Sequence, residues 1–387
     1  MDEKLISNSA GAQKYAAQHS KHDVQKEFRE QELDAAEAHY KQFGKPKRTK
    51  KRKNELVKTD NFFEKRRQIY LDDVSYRNTL AQIEAEYLLY EQALNGDLTK
   101  RGRKTTLELL AGDKWRVFQL KYTAGESLTD LANSLGDIVT STERYVEACD
   151  DMDDDEYSAP FVLNDMIDTY VDYLNLLCAA VLLRREDLIS RIYAFNEGTD
   201  FDGSDAVLEE LLKFFLPNRP ELDEWFWNKP YRKLLDAIDS DTPQEMSKEM
   251  RLYVKNWYKD MKGVAHFWGK HEKMVPEYTS YLGYWAMCAA AFTYLYDIDD
   301  SSYRDETVYP KDLIDYARSI PRNDQTKQST AKPLRVAGGE ECPKSGQWFS
   351  PAKADSQGHF SAGTIMPDFP DAQYGLTIWQ WIDNQQT

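Results

Sequence analysis

From residue 76 onward, apolar and polar positions alternate at helical spacing. Tyr76, Leu80, Ile83, Tyr87, Tyr90 and Leu94 follow one another at intervals of 4-3-4-3-4, which places them on one helix face. Asn95–Gly96 predicts the end of that helix, since both residues tolerate the left-handed conformation. Thr105–Tyr122 predicts a second helix. Leu128, Leu131, Leu135, Ile138 and Thr142 predict a third, broken from the second by Gly125. Ser158–Arg184 reads as one long apolar helix with Ser158 as N-cap and Pro160 in the first turn. Shorter helices over Glu186–Phe195, Asp205–Phe215, Pro220–Ile238, Pro243–Met261, Tyr278–Tyr296 and Pro310–Ile320 complete a mainly α, multi-helix, bundle-like body.

The flanks read differently. Residues 1–57 form a polar arm in which Asp23–Phe43 has only a thin apolar stripe. Within it, Lys45–Lys53 (KPKRTKKRK) holds seven basic residues in nine. Such a run resembles a nucleic-acid patch, but no aromatic is interleaved for base stacking, so a solvated linker is the better reading. The body divides into an N-terminal helical domain, 58–149, and a C-terminal one, 150–322, at the acidic run Asp150–Glu156. Residues 323–387 change to Gly-rich, short aromatic pieces. Gln347–Phe349, Thr364–Met366 and Leu376–Trp381 are the strand candidates of a small β-rich appendage. Alone it has too few apolar residues for a stable core, so packing on the body is expected.

Charge separates the two parts. Residues 1–148 hold 26 Lys/Arg against 24 Asp/Glu, and residues 149–387 hold 24 against 42. An acidic second part repels nucleic acid and anionic membrane and attracts a basic partner. Aromatics reach 13%, with 24 Tyr and 9 Trp, which suits half-buried interaction surfaces and leaves room for a homodimer. The four Cys, at 149, 178, 288 and 342, lack any CxxC pairing and fit a reducing, cytoplasmic setting. The start MDEKLISNSAGAQ shows no secretory signal. The longest uncharged runs, Ser280–Tyr296 and Leu174–Leu183, fall short of a membrane span.

Catalytic motifs are incomplete. His266 and His271 are five apart, off a shared helix face, and no GxxxxGK[ST], GxGxxG or GxSxG occurs. The Asp297 cluster has Ser302 and Val308 where a calcium loop needs Gly and Glu. No cofactor is expected. Asp150, Asp151 and Asp154 do fit DDxxD, which looks like the magnesium motif of all-α prenyl-transferring enzymes. A second carboxylate motif on a facing helix is missing, because Asp165, Asp168 and Asp172 lie on the helix directly after the first.

The most specific stretch is Tyr281–Leu313. It carries Gly283, Tyr284, Trp285, Ala289, Ala290, Asp297, Asp299, Asp300, Ser301, Ser302, Tyr309, Pro310 and Asp312 in the pattern GYW…AA…Y.IDDSS…YP.DL. This resembles the C-terminal domain of PoNi-type immunity proteins, which bacteria make to neutralise nuclease toxins; the match is read over roughly 150–320. The helical region 60–148 is similar to the family's N-terminal domain by helix pattern alone. The tail Cys342–Trp381 resembles an appendage of immunity proteins of type VI secretion systems.

The resemblance implies a non-catalytic, stoichiometric inhibitor of a cognate PD-(D/E)xK-like DNase. Physical reasoning adds a docking surface. Asp150, Asp151, Asp153, Asp154, Asp155 and Glu156, with Asp165, Asp168 and Asp172, are expected to meet the basic cleft of the toxin. Asp297, Asp299 and Asp300 are expected either to contact the toxin or to cap the following turn. Trp285, Ala289 and Ala290 are expected in the core. The alternatives are a chaperone or adaptor for a secreted effector, and the magnesium-dependent prenyl-type enzyme.

Overall fold

The computed structural model describes residues 62–153, 158–322, 334–350, 352–353, 356–369 and 377–382. The chain divides into two units, Met1–Thr59 and Asp60–Thr387, and all described residues belong to the second. The readings for Asp23–Phe43, Lys45–Lys53, Asp154–Glu156 and the linker Asn323–Lys332 therefore lie outside the described residues. Among the described residues there are eleven α-helices and a small four-stranded antiparallel sheet.

The first helices stack in sequence order. A short α1 (Phe62–Lys65) precedes α2 (Asp73–Leu94), α3 (Lys100–Ala124) and α4 (Leu128–Asp150). Side chains set their starts: Asp72 accepts from the Ser75 amide at 3.0 Å, and Thr99 accepts from Gly102. Helix α2 buries Tyr76, Thr79, Ile83 and Tyr90 on one face and packs on α3, which packs on α4. The α2 end comes at Leu94 as expected, but Asn95 is right-handed, with φ −83°. Gly125 is left-handed at φ 91°, and a Cβ there would lie 2.0 Å from the Lys65 carbonyl oxygen, so only glycine fits the α3–α4 turn.

Helix α5 (Ile167–Leu182) is the centre of the body. It is buried nearly all round, from Ile167 through Leu182, as its apolar composition requires. Helices α10 (Met287–Leu295) and α11 (Lys311–Ser319) pack against it. The segment 158–166, read as the start of this helix, is non-helical. Its carbonyls are taken by side chains from elsewhere: Tyr145 donates to Pro160 at 3.2 Å, Asn196 to Phe161 at 3.2 Å and Trp227 to Leu163 at 2.8 Å. Between α5 and α10 lie α6 (Ile189–Tyr193), α7 (Ala206–Leu212), α8 (Asn228–Ile238) and α9 (Pro243–Asp260). The last two pair as an antiparallel hairpin, and Thr242 caps α9.

Only the second half of the expected Tyr278–Tyr296 helix forms. Residues 279–286 are irregular, because other elements satisfy their backbone. The Thr279 amide donates to the Thr79 hydroxyl at 2.8 Å, the Thr123 hydroxyl donates to the Leu282 carbonyl at 2.5 Å, and the Gln68 side chain pairs with Tyr284. Gly283 sits at φ 107°, outside helical space.

The appendage comprises β1 (Arg335–Ala337), β2 (Gly346–Phe349), β3 (Gly358–Phe360) and β4 (Ile378–Trp381), in the order β1-β4-β2-β3. The strands expected near 347–349 and 376–381 are present. Thr364–Met366 is not a strand; Ile365 only bridges to Glu341, while Arg335–Ala337 and Gly358–Phe360 are strands that composition did not reveal. Val336, Cys342, Trp348, Met366 and Trp379 make a small separate core. On the other face of β1, Arg335 forms an ion pair with Glu221 of the helical body.

Candidate partner-binding site

The α3–α4 hairpin brings two charged helix ends together. Lys100, Arg101, Arg103 and Lys104 crowd the first turns of α3, and Asp150, Asp151 and Asp153 crowd the end of α4. Each set opposes the dipole of its own helix. Antiparallel packing makes each the counter-charge of the other. Lys100 donates to Asp153 at 3.1 Å, and Lys104 reaches the Ser158 hydroxyl at 3.4 Å. The pull of Asp153 and Asp151 raises the Lys100 pKa. Asp150, Asp151 and Asp153 remain exposed, as does Asp165.

The three carboxylates read as one acidic face do not share a role. Asp165 precedes α5 and faces solvent. Asp168 caps the 266–267 turn, accepting from the His266 amide at 2.9–3.0 Å and the Phe267 amide at 3.2 Å. Asp172 accepts from the Trp115 indole at 2.9 Å and the Gln119 amide at 2.8 Å. Burial pushes its pKa up to about 6, against the pull of those two donors. Asp168 and Asp172 are therefore engaged inside the fold. They are equally unavailable as a second magnesium motif.

The Asp297–Asp300 cluster also splits. Asp297 is exposed and left-handed, with φ 54°, on the rim of an open recess of about 740 Å³ shared with Tyr294, Tyr296, Arg318 and Arg322. Asp299 closes a turn by accepting from the Ser301 amide and hydroxyl, each at 3.0 Å, and these bonds lower its pKa. Asp300 is 6% exposed. It receives Arg304 at 2.8 Å, Arg318 at 3.1 Å and the Tyr309 hydroxyl at 3.1 Å. Of the two roles weighed for this cluster, capping describes Asp299, while Asp300 is the anion of a buried network.

The rest of the Tyr281–Leu313 stretch is core. Tyr284, Trp285, Ala289, Ala290 and Tyr309 are buried. The Trp285 indole donates to the Thr123 hydroxyl at 2.9 Å, and Asp312 accepts from Tyr122 at 2.7 Å and pairs with Arg67. The stretch is held by α3 and by the segment before α2.

One charged surface escaped the totals. Along α9 and just past it, Lys248, Arg251, Lys255, Lys259 and Lys262 recur at 3-4-4-3 spacing, and all five are exposed. The opposite face buries Met250, Tyr253, Val254 and Trp257. The spacing was legible in the sequence, but net charge concealed it. Among the described residues no group of three or more His, Cys, Asp or Glu is placed to hold a metal. No helix of the described residues is long and apolar enough to cross a membrane.

Residues 203–313 match the family model of PoNe immunity proteins (PoNi), C-terminal. Over this region the chain is similar to the C-terminal part of PoNi immunity proteins. The matched segment begins later than the 150–320 read from the motif, yet includes Gly283 through Asp312. Among solved structures, the crystal structure of protein PA2201 from Pseudomonas aeruginosa is similar, with a TM-score of 0.54 and 19% identity. The similarity covers 66% of this chain and 91% of that one, and it supports the mainly α fold. No curated protein matches. The PoNi match supports an immunity function in general and, with it, a cognate toxin as partner.

Proposed function

We propose that the protein is a stoichiometric immunity protein that binds a cognate nuclease toxin and covers its DNA-binding cleft. The observation that carries this is the match of residues 203–313 to PoNe immunity proteins, in a chain whose residues 149–387 hold 42 acidic against 24 basic side chains. A cleft that binds phosphate backbone is basic, so an acidic helical body is attracted to it and competes with DNA. Asp150, Asp151, Asp153 and Asp165 are the exposed carboxylates assigned to that contact. Asp297 flanks a separate recess and is a second contact. The setting is the cytoplasm, where the toxin would act, as part of a type VI secretion pair.

Co-expression with the toxin encoded beside it tests the reading. Survival of the cells, a co-purified complex and loss of nuclease activity in that complex are expected. A complex that retains nuclease activity would instead make the protein a chaperone or adaptor.

A further inference from the structure

The cations on α9 run in one line for about 16 Å, taking 1.5 Å per residue from Lys248 to Lys259, and Lys262 follows just past the helix end. A solvated helix face in an acidic protein ordinarily mixes charges, and like charges at i,i+4, such as Lys255 and Lys259, repel. Three of the five cations meet a partner in the fold. Lys248 lies 3.5 Å from its neighbour Glu249, Lys255 lies 3.6 Å from Glu306, and Lys262 sits 5.2 Å over the Trp268 ring. Arg251 and Lys259 have no ion-pair partner among the described residues. Val264, 48% exposed, and half-buried Trp268 adjoin its far end.

We infer that this stripe is a second docking surface, one that takes an acidic strip on the toxin. The inference rests on the immunity reading. The chain's net charge of −16 disfavours nucleic acid and anionic membrane as occupants, and it also opposes a second copy of the chain. A partner that is basic overall is steered in by the acidic body. It would be repelled at α9 unless it presents carboxylates there. The stripe therefore fixes orientation and rejects uniformly basic surfaces, which is how charge produces specificity at an interface. All five positions are exposed, so they are open to substitution without disturbing the buried face of α9.

The test uses the full chain and the toxin encoded beside it. The variant Arg251→Glu/Lys255→Glu/Lys259→Glu is compared with the matching triple Gln variant and with wild type, by titration calorimetry at low and high salt. The expected result is a loss of affinity of at least about tenfold for the Glu variant and a smaller loss for Gln, with unchanged melting temperature. Wild-type affinity in the Glu variant overturns the inference while leaving the immunity reading intact. Absence of any complex with wild type overturns the immunity reading itself. Tight binding of a DNA duplex or of phosphatidylserine vesicles by wild type, lost in the Glu variant, would assign the stripe to that ligand and overturn the inference. A salt-sensitive dimer lost in the same variant would do so as well.

Discussion

The side chain of Gln68 pairs with both backbone polar groups of Tyr284. Its oxygen accepts from the Tyr284 amide at 2.8 Å, and its nitrogen donates to the Tyr284 carbonyl at 2.7 Å. The same oxygen takes the Tyr281 hydroxyl, and the same nitrogen reaches the Thr307 carbonyl at 2.9 Å. Gln68 is 1% exposed. One buried amide thus does for residues 281–284 what a neighbouring strand would do, and this joins the segment before α2 to the most family-specific stretch of the chain.

Replacing Gln68 with Ala leaves a buried N–H, the Tyr281 hydroxyl and two carbonyls without this partner and opens a cavity. The expected cost is about 3–5 kcal/mol, from unsatisfied buried groups plus lost packing. Urea unfolding measures it. A cost below about 1 kcal/mol would mean that water or backbone movement replaces the amide, and that Gln68 does not hold the stretch.

Gly283 is constrained from the opposite direction. An added Cβ would fall 2.2 Å from the Thr123 hydroxyl oxygen and 2.2 Å from the Trp285 indole nitrogen, which are themselves hydrogen-bonded. With φ at 107°, any L-residue is strained there even without the clash. Gly283→Ala is expected to lower stability by about 3 kcal/mol or more, or to prevent soluble expression. A near-normal thermal melt for the variant would show that the turn can be rebuilt.

These two residues show what the sequence could and could not reveal. The α2 face, the α3–α4 break at Gly125, the α9 start after Thr242 and the core placement of Trp285 and Ala289 all follow from local periodicity and turn chemistry. The failures are non-local. Residues 158–166 and 279–286 look helical because they are apolar. Their carbonyls and amides are instead claimed by Tyr145, Asn196, Trp227, Thr79 and Gln68, which are distant in sequence. The acidic site blurred for the same reason. Nothing near Asp168, Asp172 or Asp300 signals that His266, Trp115 or Arg318 will take them.

Asp172 makes a pH prediction. Burial raises its pKa to about 6, above the unfolded value near 4. The folded state therefore holds the proton more tightly between those values, and stability falls as pH rises through that window. Above pH 6 the ionised carboxylate is a standing cost of about 2–3 kcal/mol at most. Asp172→Asn keeps an acceptor for Trp115 and Gln119 and removes the charge. The variant is expected to be more stable than wild type at pH 7.5 and equal to it near pH 4, as read by melting temperature at both. A difference independent of pH would refute the assignment.

The carboxylates should separate into two classes by experiment. Asp150→Asn/Asp151→Asn/Asp153→Asn alters exposed groups, so the fold should hold while toxin affinity and its salt dependence fall. Lys100 loses Asp153, but that pair is exposed and screened by solvent, so it contributes little to the fold. Asp300→Asn should do the reverse. It removes the charge that Arg304 and Arg318 share in a buried site, at a cost of about 3 kcal/mol or more, and affinity should fall only as far as the folded fraction does. Calorimetric binding set beside urea unfolding for each variant checks this. If the triple Asn variant binds the toxin with unchanged affinity and salt slope, the α4 end is the counter-charge of α3 and nothing more. Docking would then have to rest on Asp165, on the recess at Asp297, or on α9.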